Sequence, residues 1–279
     1  MRPLILAALM LVPLGGGAQE SSLATPELKA EHQQALRQAI ASPTRSITNV
    51  VRDAYRNPEQ TLAFFQVEPE HTVVEVWPGA GWYTEILAPY LKEDGKLIAA
   101  HFDPESTSEY QQRLLKSFKK ELDDPRGLYE EVELAVLNYD ADTPIAEPGT
   151  VDRVVTFRNV HNWLAAGMEE AELVFDKFHA ALKPGGMLGV VEHRALPGTT
   201  LDEMVKTGYV TEELVKQLAE QAGFELVASA PINNNPRDTK DHPKGVWTLP
   251  PTFKLGDEDR TAYLAMGESD RMTLLFRKK

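Results

Sequence analysis

The chain has 279 residues, of which 42% are hydrophobic and 25% charged, with 29 Lys+Arg against 42 Asp+Glu and no cysteine. This composition is that of a globular protein with a buried core, and it excludes a disordered chain, a collagen and a disulfide scaffold. The net charge of −13 and the scattered basic residues argue against binding of nucleic acid or an anionic membrane, which needs clustered Lys and Arg.

The first 18 residues have the pattern of a secretory signal. Met1 and Arg2 precede an apolar run, Leu4–Leu14, and small residues follow as far as Ala18. The run is shorter than the roughly 20 residues that a membrane span needs. We therefore expect export to the periplasm, cleavage before Gln19 and no membrane span.

Two regions follow the signal. Residues 19–68 have a helical pattern with breaks at Pro43 and Pro58, which predicts an N-terminal helical cap. In residues 69–279, β-branched runs and helical stretches alternate, which predicts an α/β domain with a doubly wound parallel sheet covered on both faces. The predicted elements are, in chain order, Thr72–Trp77, Tyr83–Leu91, Lys96–Phe102, Glu109–Leu122, Val132–Leu137, Val154–Phe157, Met168–Leu182, Met187–Glu192, Thr211–Ala222, Phe224–Ala230 and Met272–Arg277.

The segment 231–270 interrupts the alternation between the last two predicted strands. It is rich in Pro, Asn, Asp and Gly and contains Trp247 and Phe253. Long irregular segments inside compact domains are usually functional or disordered, and two aromatic anchors favour a packed lid.

The turn after the first predicted strand is the most informative part of the sequence. Glu75 lies in the strand, and Pro78-Gly79-Ala80-Gly81 leads into an amphipathic helix. In doubly wound sheets, ligands bind at the carboxyl ends of the strands, and glycines let the backbone approach the ligand closely. Alone, such a turn is equally compatible with a tight connection that binds nothing.

The wider sequence resembles class I S-adenosylmethionine-dependent methyltransferases from about His71 to the C-terminus. The resemblance rests on the E-x-x-x-G-x-G pattern of residues 75–81, Asp140 after the third strand, the stretch Asp152–Trp163 and the strand entry Leu182–His193. More narrowly, VWPGAGWYTEILAPYL, RNVHNW, GVWTLPP and GESDRM are similar to an exported bacterial group of predicted methyltransferases.

The resemblance implies a Rossmann-like seven-stranded sheet of order 3-2-1-4-5-7-6, with the last strand antiparallel and the 231–270 lid over the site. It implies S-adenosylmethionine as cofactor. Glu75, Gly79 and Gly81 would surround its methionine part, and Asp140 would lie near the adenine. Asn159 would lie in the loop after the fourth strand that lines the site.

Two positions depart from the family pattern. Trp77 replaces the first glycine of the turn, so an indole occupies a position where the backbone usually contacts the cofactor. At the end of the second strand, His101 stands where an acid usually binds the ribose hydroxyls. Either Asp103 replaces that acid or His101 donates one bond, and Asp103 is equally suited to cap the following helix.

The strand assignments bring His101, His161 and His193 to one edge of the sheet. They can be hydrogen-bonded structural residues, a general base, or metal ligands together with Glu192, Asp238 or Asp241. Because no metal-ligand spacing is present, we predict no metal.

For proton removal from the acceptor, His161 is our first candidate. His193 is the second, because the adjacent Glu192 would raise its basicity. We expect Arg158 to bind an acidic ligand or to pair with Glu192. The basic residues of Arg52–Arg56 are placed to close the pocket from the cap.

Three functions compete. The first is an S-adenosylmethionine-dependent methyltransferase of a small-molecule substrate, with no nucleic acid as partner. Export argues against it, because the cofactor is made in the cytoplasm. The second is a non-catalytic ligand-binding protein on the same scaffold, in which Trp77 closes the cofactor cleft. The third is a metal-assisted hydrolase.

Overall fold

The computed structural model describes residues 28–279, so the predicted signal lies outside the described residues. A seven-stranded sheet forms the centre, with the order β3-β2-β1-β4-β5-β7-β6. β7 is antiparallel to its neighbours β5 and β6, and the other strand pairs are parallel. This confirms the predicted fold and strand order. The strands are β1 Thr72–Val76, β2 Lys96–His101, β3 Glu133–Val136, β4 Val151–Phe157, β5 Leu182–His193, β6 Phe224–Ser229 and β7 Arg271–Lys278.

Four helices precede the sheet, and we call residues 30–64 the cap. The residues between β6 and β7 that were predicted as a lid, 231–270, are called the lid. The helices are α1 Ala30–Ile40, α2 Ile47–Val50, α3 Asp53–Arg56, α4 Pro58–Phe64, α5 Thr84–Leu91, α6 Glu109–Leu122, α7 Val160–Ala166, α8 Met168–Ala181, α9 Leu201–Thr207, α10 Glu212–Gln221 and α11 Arg260–Met266, with a 3-10 turn at Gly245–Thr248.

Three helices, α7, α9 and α11, were not predicted because each has only seven residues. The start of α9 has a local signal in the sequence. Thr200 accepts from the backbone N–H of Glu203, and Glu203 bonds back to Thr200, which is a complete capping box.

The two faces of the sheet bury two separate hydrophobic clusters, because successive residues of a strand point to opposite faces. Val74 and Ile98 pack in the cluster that contains Trp163 of α7 and Phe178 of α8. Their neighbours in the chain, among them Val73 and Leu97, pack in the cluster that contains α5 and the cap. The cap therefore completes one layer of the domain core.

The residue that follows the cap packs directly on Gly189 in β5. A Cβ atom at this position would lie 2.5 Å from Cγ and Cδ2 of Phe65, the residue after α4. The ring of Phe65 also lies 6.1 Å from that of Phe157 at the end of β4. Because Gly189 has no side chain, the Phe65 ring can pack against β5, and this contact sets the distance between the cap and the sheet.

No helix among residues 28–279 is long and apolar enough to span a membrane.

Replacing Gly189 with Ala should destabilise the protein by about 1–3 kcal/mol, because the new methyl group overlaps the Phe65 ring. Urea unfolding measures the loss. In the double variant with Phe65→Leu, the loss of stability should be smaller than the sum of the losses in the two single variants, since the smaller side chain leaves room for the methyl group. Additive effects would show that Phe65 does not set the cap position.

Candidate functional site

A cavity of about 680 Å³ opens at the carboxyl edge of the sheet. This volume lies in the range of small-molecule sites. One end, which we call the aromatic end, is formed by Trp77, Phe102, Tyr110 and Tyr139. The other, which we call the charged end, is formed by Arg56, Arg158, His161, His193 and Glu268. The cap, the strand ends and the lid all contribute to the lining.

The turn after β1 forms the floor between the two ends. Trp77 N–H donates to the carbonyl of Ala100 in β2 at 2.8 Å, and Gly81 N–H donates to Pro78 at 3.1 Å. Gly79 has a φ of +65°, and a Cβ atom added there would meet no atom within 4 Å. The turn therefore presents bare backbone to the cavity at Gly79.

The Trp77 indole does not lie over this glycine. It is 6% exposed, donates from Nε1 to the carbonyl of Leu137 at 3.1 Å, and packs 4.7 Å from the ring of Phe102. Trp163 lies edge-on at 5.9 Å. Trp77, which replaces the first glycine of the family pattern, thus forms a wall of the aromatic end and has a φ of 42°. It leaves the space before Gly79 open.

His101 supports the turn from behind. Its Nδ1 accepts from the N–H of Phe102 at 2.7 Å, so the ring proton is on Nε2, which donates to the carbonyl of Gly79 at 2.9 Å. Burial lowers the pKa of His101 to about 4. The histidine is therefore neutral and does not line the cavity, which corrects its predicted role as a ribose ligand.

The two predicted acids near the adenine and ribose also lie outside the lining. Asp103 accepts from the N–H of Glu105 and from Asn138, while Ser108 caps α6. Asp140 accepts from Thr143 and from the N–H of Asp142. Both carboxylates therefore fix local turns.

Glu75, at the end of β1, lines the cavity floor and is 1% exposed. Its Oε2 accepts one bond, from the Thr84 hydroxyl at 2.6 Å, and no cation pairs with it among residues 28–279. Burial raises the pKa of Glu75 to about 8. A cation bound beside the Glu75 carboxyl group would favour its ionised form.

Asn159 lines the cavity as expected, whereas Gly81 does not. The amide of Asn159 lines the cavity and donates to the carbonyl of Val76 at 2.9 Å, which ties the end of β4 to that of β1. Gly81 lies below the lining, where an added Cβ atom would touch the Phe118 ring at 3.5 Å. Its φ of +89° suits glycine, so Gly81 serves the turn rather than the cavity surface.

The charged end contains an oriented imidazole. His161 Nδ1 lies 3.0 Å from Glu192 Oε1, and Glu192 is fully buried. The same carboxylate accepts from the N–H groups of Val160 at 2.6 Å and His193 at 2.7 Å. With Nδ1–H donated to Glu192, Nε2 of His161 has no partner among residues 28–279 and is free to accept a proton from the cavity.

His193 differs from His161, since Glu192 bonds to its backbone and not to its ring. Nδ1 of His193 lies 2.5 Å from the Ser269 hydroxyl. Burial, together with the charges of His161 and Arg158, lowers the pKa of His193 well below its ordinary value. The expected rise in basicity from Glu192 is therefore not found at His193, and the carboxylate serves His161.

His161, Glu192 and His193 bring ligand atoms within 4.8 Å of one another. Metal ligation would have to compete with the bonds that Glu192 receives from four N–H groups, the backbone N–H groups of Val160, His161 and His193 and the ring of His161. The chemistry of this group fits a hydrogen-bonded base better than a metal centre. The other carboxylates considered for a metal, Asp238 and Asp241, do not line the cavity.

Asp238 instead anchors the lid. Its buried carboxylate accepts from the Tyr209 hydroxyl at 2.9 Å and from the N–H of Asp270 at 2.8 Å, and it lies 2.8 Å from Nε2 of His242. With the lid held in this way, Trp247 reaches the cavity, and its ring lies 6.1 Å from that of His161.

Arginines of the cap and of the sheet edge gather around Glu268 of the lid. Its carboxylate lies 2.7 Å from Arg52 Nε, 3.3 Å from Arg56 Nε and 3.1 Å from Arg271 Nη2. Burial opposes ionisation of Glu268, but these guanidiniums outweigh it and lower its pKa to about 2. Arg158, expected to bind an acid or Glu192, makes no ion pair with Glu192 in the described part of the chain.

Sequence reasoning identified Trp77 but missed the other three rings of the aromatic end, Phe102, Tyr110 and Tyr139. Phe102 directly follows β2 and Tyr139 lies three residues after the end of β3, and this position after two neighbouring parallel strands is a signal that could have identified them. Tyr110 lies on α6 and has no such signal.

Comparison of the structure with solved structures identifies relatives in fold. An S-adenosylmethionine-dependent methyltransferase from Aquifex aeolicus is 16% identical with a TM-score of 0.53, and the match covers 88% of this chain and 98% of that one. The cyclase SpnF is 15% identical with a TM-score of 0.54, over 91% and 97% of the two chains. The chain therefore has the fold of S-adenosylmethionine-dependent methyltransferases.

Comparison of sequences finds one significant curated relative, and no protein-family model matches the chain. The relative is an arsenite methyltransferase from Halobacterium salinarum, 27% identical over 177 residues. The match covers 61% of this chain and 41% of the relative, so the chain spans less than half of that protein's length.

Stability should depend on pH through Glu75. Its pKa is about 8 in the folded chain, against an ordinary value of 4.5, so between these values the folded state binds more protons than the unfolded state. The free energy of unfolding then falls as pH rises, by at most about 1.4 kcal/mol per pH unit. Glu75→Gln should remove this loss in urea unfolding at several pH values. An unchanged slope would contradict a raised pKa, and the exposed Glu213→Gln is the control.

Glu192→Gln should cost about 2–4 kcal/mol in urea unfolding at pH 7. The amide group of glutamine cannot accept all of the bonds that Val160 N–H, His193 N–H and His161 Nδ1–H now donate to the two carboxylate oxygens. The exposed control Glu213→Gln should change stability by less than about 0.5 kcal/mol. Equal effects of the two variants would show that the Glu192 network does not hold the charged end together.

Proposed function

We propose that this protein is an S-adenosylmethionine-dependent methyltransferase that acts on a small-molecule acceptor. The observation that carries the proposal is a single cavity that joins the open Gly79 turn to the oriented imidazole of His161. The cavity lies at the carboxyl edge of the sheet, beside the point where the strand order reverses between β1 and β4. Ligands of doubly wound sheets bind at this point.

The residues present fit the cofactor. The aromatic end offers ring faces and edges for the adenine, and Ser108 and Gln111 are polar groups in the lining near it. Gly79 leaves room for the methionine part, and the unpaired Glu75 carboxyl suits its ammonium group. We assign the ribose hydroxyls to Ser108 and Gln111, because His101 and Asp103 do not line the cavity.

The bound cofactor would supply a methyl group on a sulfonium, which makes that carbon electrophilic. The protein has to orient the acceptor for in-line displacement and to remove a proton from a hydroxyl or amine. His161 Nε2 is the group assigned to the proton. Glu192 orients the ring and stabilises the imidazolium that forms. His193 is assigned a positioning role through Ser269.

Although the curated relative is named an arsenite methyltransferase, we do not propose arsenite as the acceptor of this protein. This chain contains no cysteine. Thiolates are the side chains that bind soft, thiophilic centres. The polar and aromatic lining favours an organic acceptor.

Export to the periplasm is part of the proposal and rests on residues 1–18, with the apolar run Leu4–Leu14. A periplasmic methyltransferase needs a supply of cofactor outside the cytoplasm. A non-catalytic ligand-binding protein on this scaffold is the alternative. It is favoured by the absence of an acid for the ribose at the end of β2, where His101 bonds to the turn. The fold alone does not decide between the two.

Calorimetric titration with S-adenosylmethionine and S-adenosylhomocysteine tests the proposal. We expect micromolar dissociation constants, about −8 kcal/mol. Gly79→Leu should abolish binding, because its side chain would fill the open space before the turn. Gly198→Leu is the matched control, since Gly198 also has a positive φ and open space around it but does not line the cavity.

Loss of binding in both variants, or in neither, would contradict the assigned cofactor site. If the wild-type protein binds neither compound, the ligand-binding alternative replaces the methyltransferase.

A further inference from the structure

The charged end of the cavity holds more positive than negative charge. The guanidiniums of Arg52, Arg56 and Arg271 contact Glu268, and Arg158 lies close enough to lower the pKa of Arg56, although burial of Arg56 contributes more. Four cations thus surround Glu268, and with the buried carboxylate of Glu192 also counted the charged end still has more cations than carboxylates. Mutual repulsion of this kind is unfavourable in a buried site unless an anion is added.

Arg56 keeps a donor without a partner beside this site. It lines the cavity and is 2% exposed, and its Nη2 is buried without a hydrogen-bond partner among residues 28–279. The guanidinium lies 4.7 Å from the ring centroid of Trp82, which fixes its plane. A buried N–H of a charged group without a partner is costly, so a site that keeps one is built for an acceptor atom from a ligand.

Arg158 is the second free donor. It follows β4 with a φ of 63°, and it also lines the cavity. Its backbone N–H donates to Val191, whereas no hydrogen bond or ion pair of its side chain is present within residues 28–279. It precedes Asn159 and lies three residues before His161, on the side of the cavity that holds the proposed base.

We infer that the methyl acceptor is an acid, and that its carboxylate or phosphate binds between Arg56 and Arg158. The inference rests on the proposed function and names the class of its substrate. Arginine binds both oxyanions through paired N–H donors, so the two groups share one chemistry. The lone carboxylate of the cofactor does not satisfy this site, because with Glu268 and Glu192 counted it would still leave one guanidinium unbalanced while the cofactor adds an ammonium and a sulfonium.

The test uses the full protein saturated with S-adenosylhomocysteine and titrated at constant ionic strength with inorganic phosphate or with benzoate. At least one anion should bind, and the one that binds identifies the acceptor's acidic group as phosphate or carboxylate. Arg158→Gln should weaken this binding about tenfold or more. Arg277→Gln is the control, since it removes an exposed arginine at the opposite edge of the sheet, paired with Glu225, and should leave the affinity unchanged.

Arg158→Gln should fold, because the Arg158 side chain makes no bond within the described residues that the substitution would break. Its melting temperature should equal or exceed that of the wild type, since one of four like charges is removed. A lower melting temperature would overturn the charge excess from which the inference begins.

Three results would overturn the acid-binding assignment. The first is that neither anion binds, and the second is that Arg158→Gln and Arg277→Gln bind the anion equally well. The third is that S-adenosylhomocysteine competes with the anion and loses affinity in Arg158→Gln, while 5′-methylthioadenosine, which lacks the carboxylate, keeps its affinity. The last result would assign the arginines to the cofactor. If S-adenosylhomocysteine fails to bind but Arg158-dependent anion binding persists without it, the proposed function fails and the anion site stands as that of a binding protein.

Discussion

The insertion of β7 between β5 and β6 is the constraint on which the site depends. β6 runs parallel to β5, so the chain leaves β6 at the carboxyl edge, and the antiparallel β7 must begin at that same edge. The connecting lid therefore cannot leave this end of the sheet. It brings Trp247 to the cavity and delivers Glu268 and Ser269 to the ends of β4 and β5. The topology thereby places the lid over part of the cavity.

Two buried glutamates show how the same side chain is used in opposite ways within this cavity. Glu75 receives one hydroxyl bond, and burial raises its pKa to about 8. Glu268 is also buried, but the surrounding guanidiniums lower its pKa to about 2. The floor of the cavity is thus suited to receive a cation and the charged end an anion. A zwitterionic cofactor together with an acidic acceptor matches this division of charge.

The predicted site residues fall into two groups, and the physical reason is the direction of each side chain. Glu75, Trp77, Gly79, Asn159, His161 and His193 line the cavity, because strand ends of a parallel sheet meet at one edge. His101, Asp103 and Asp140 lie at the same edge, but their side chains are hydrogen-bonded to backbone groups nearby. Position along a strand can be read from a pattern, whereas the choice of hydrogen-bond partner cannot.

The sequence alone determined the α/β alternation, the glycine turn after β1 and the length of the lid, because these depend on local periodicity and turn chemistry. Its family resemblance supplied the strand order. Only the tertiary structure decided that the Trp77 indole forms a wall, that Glu192 orients His161 and not His193, and that Arg52 meets a carboxylate 216 residues away. Such contacts join segments that are distant in the chain, and they are fixed by packing and by the low tolerance of buried polar groups for missing partners. No local pattern records them.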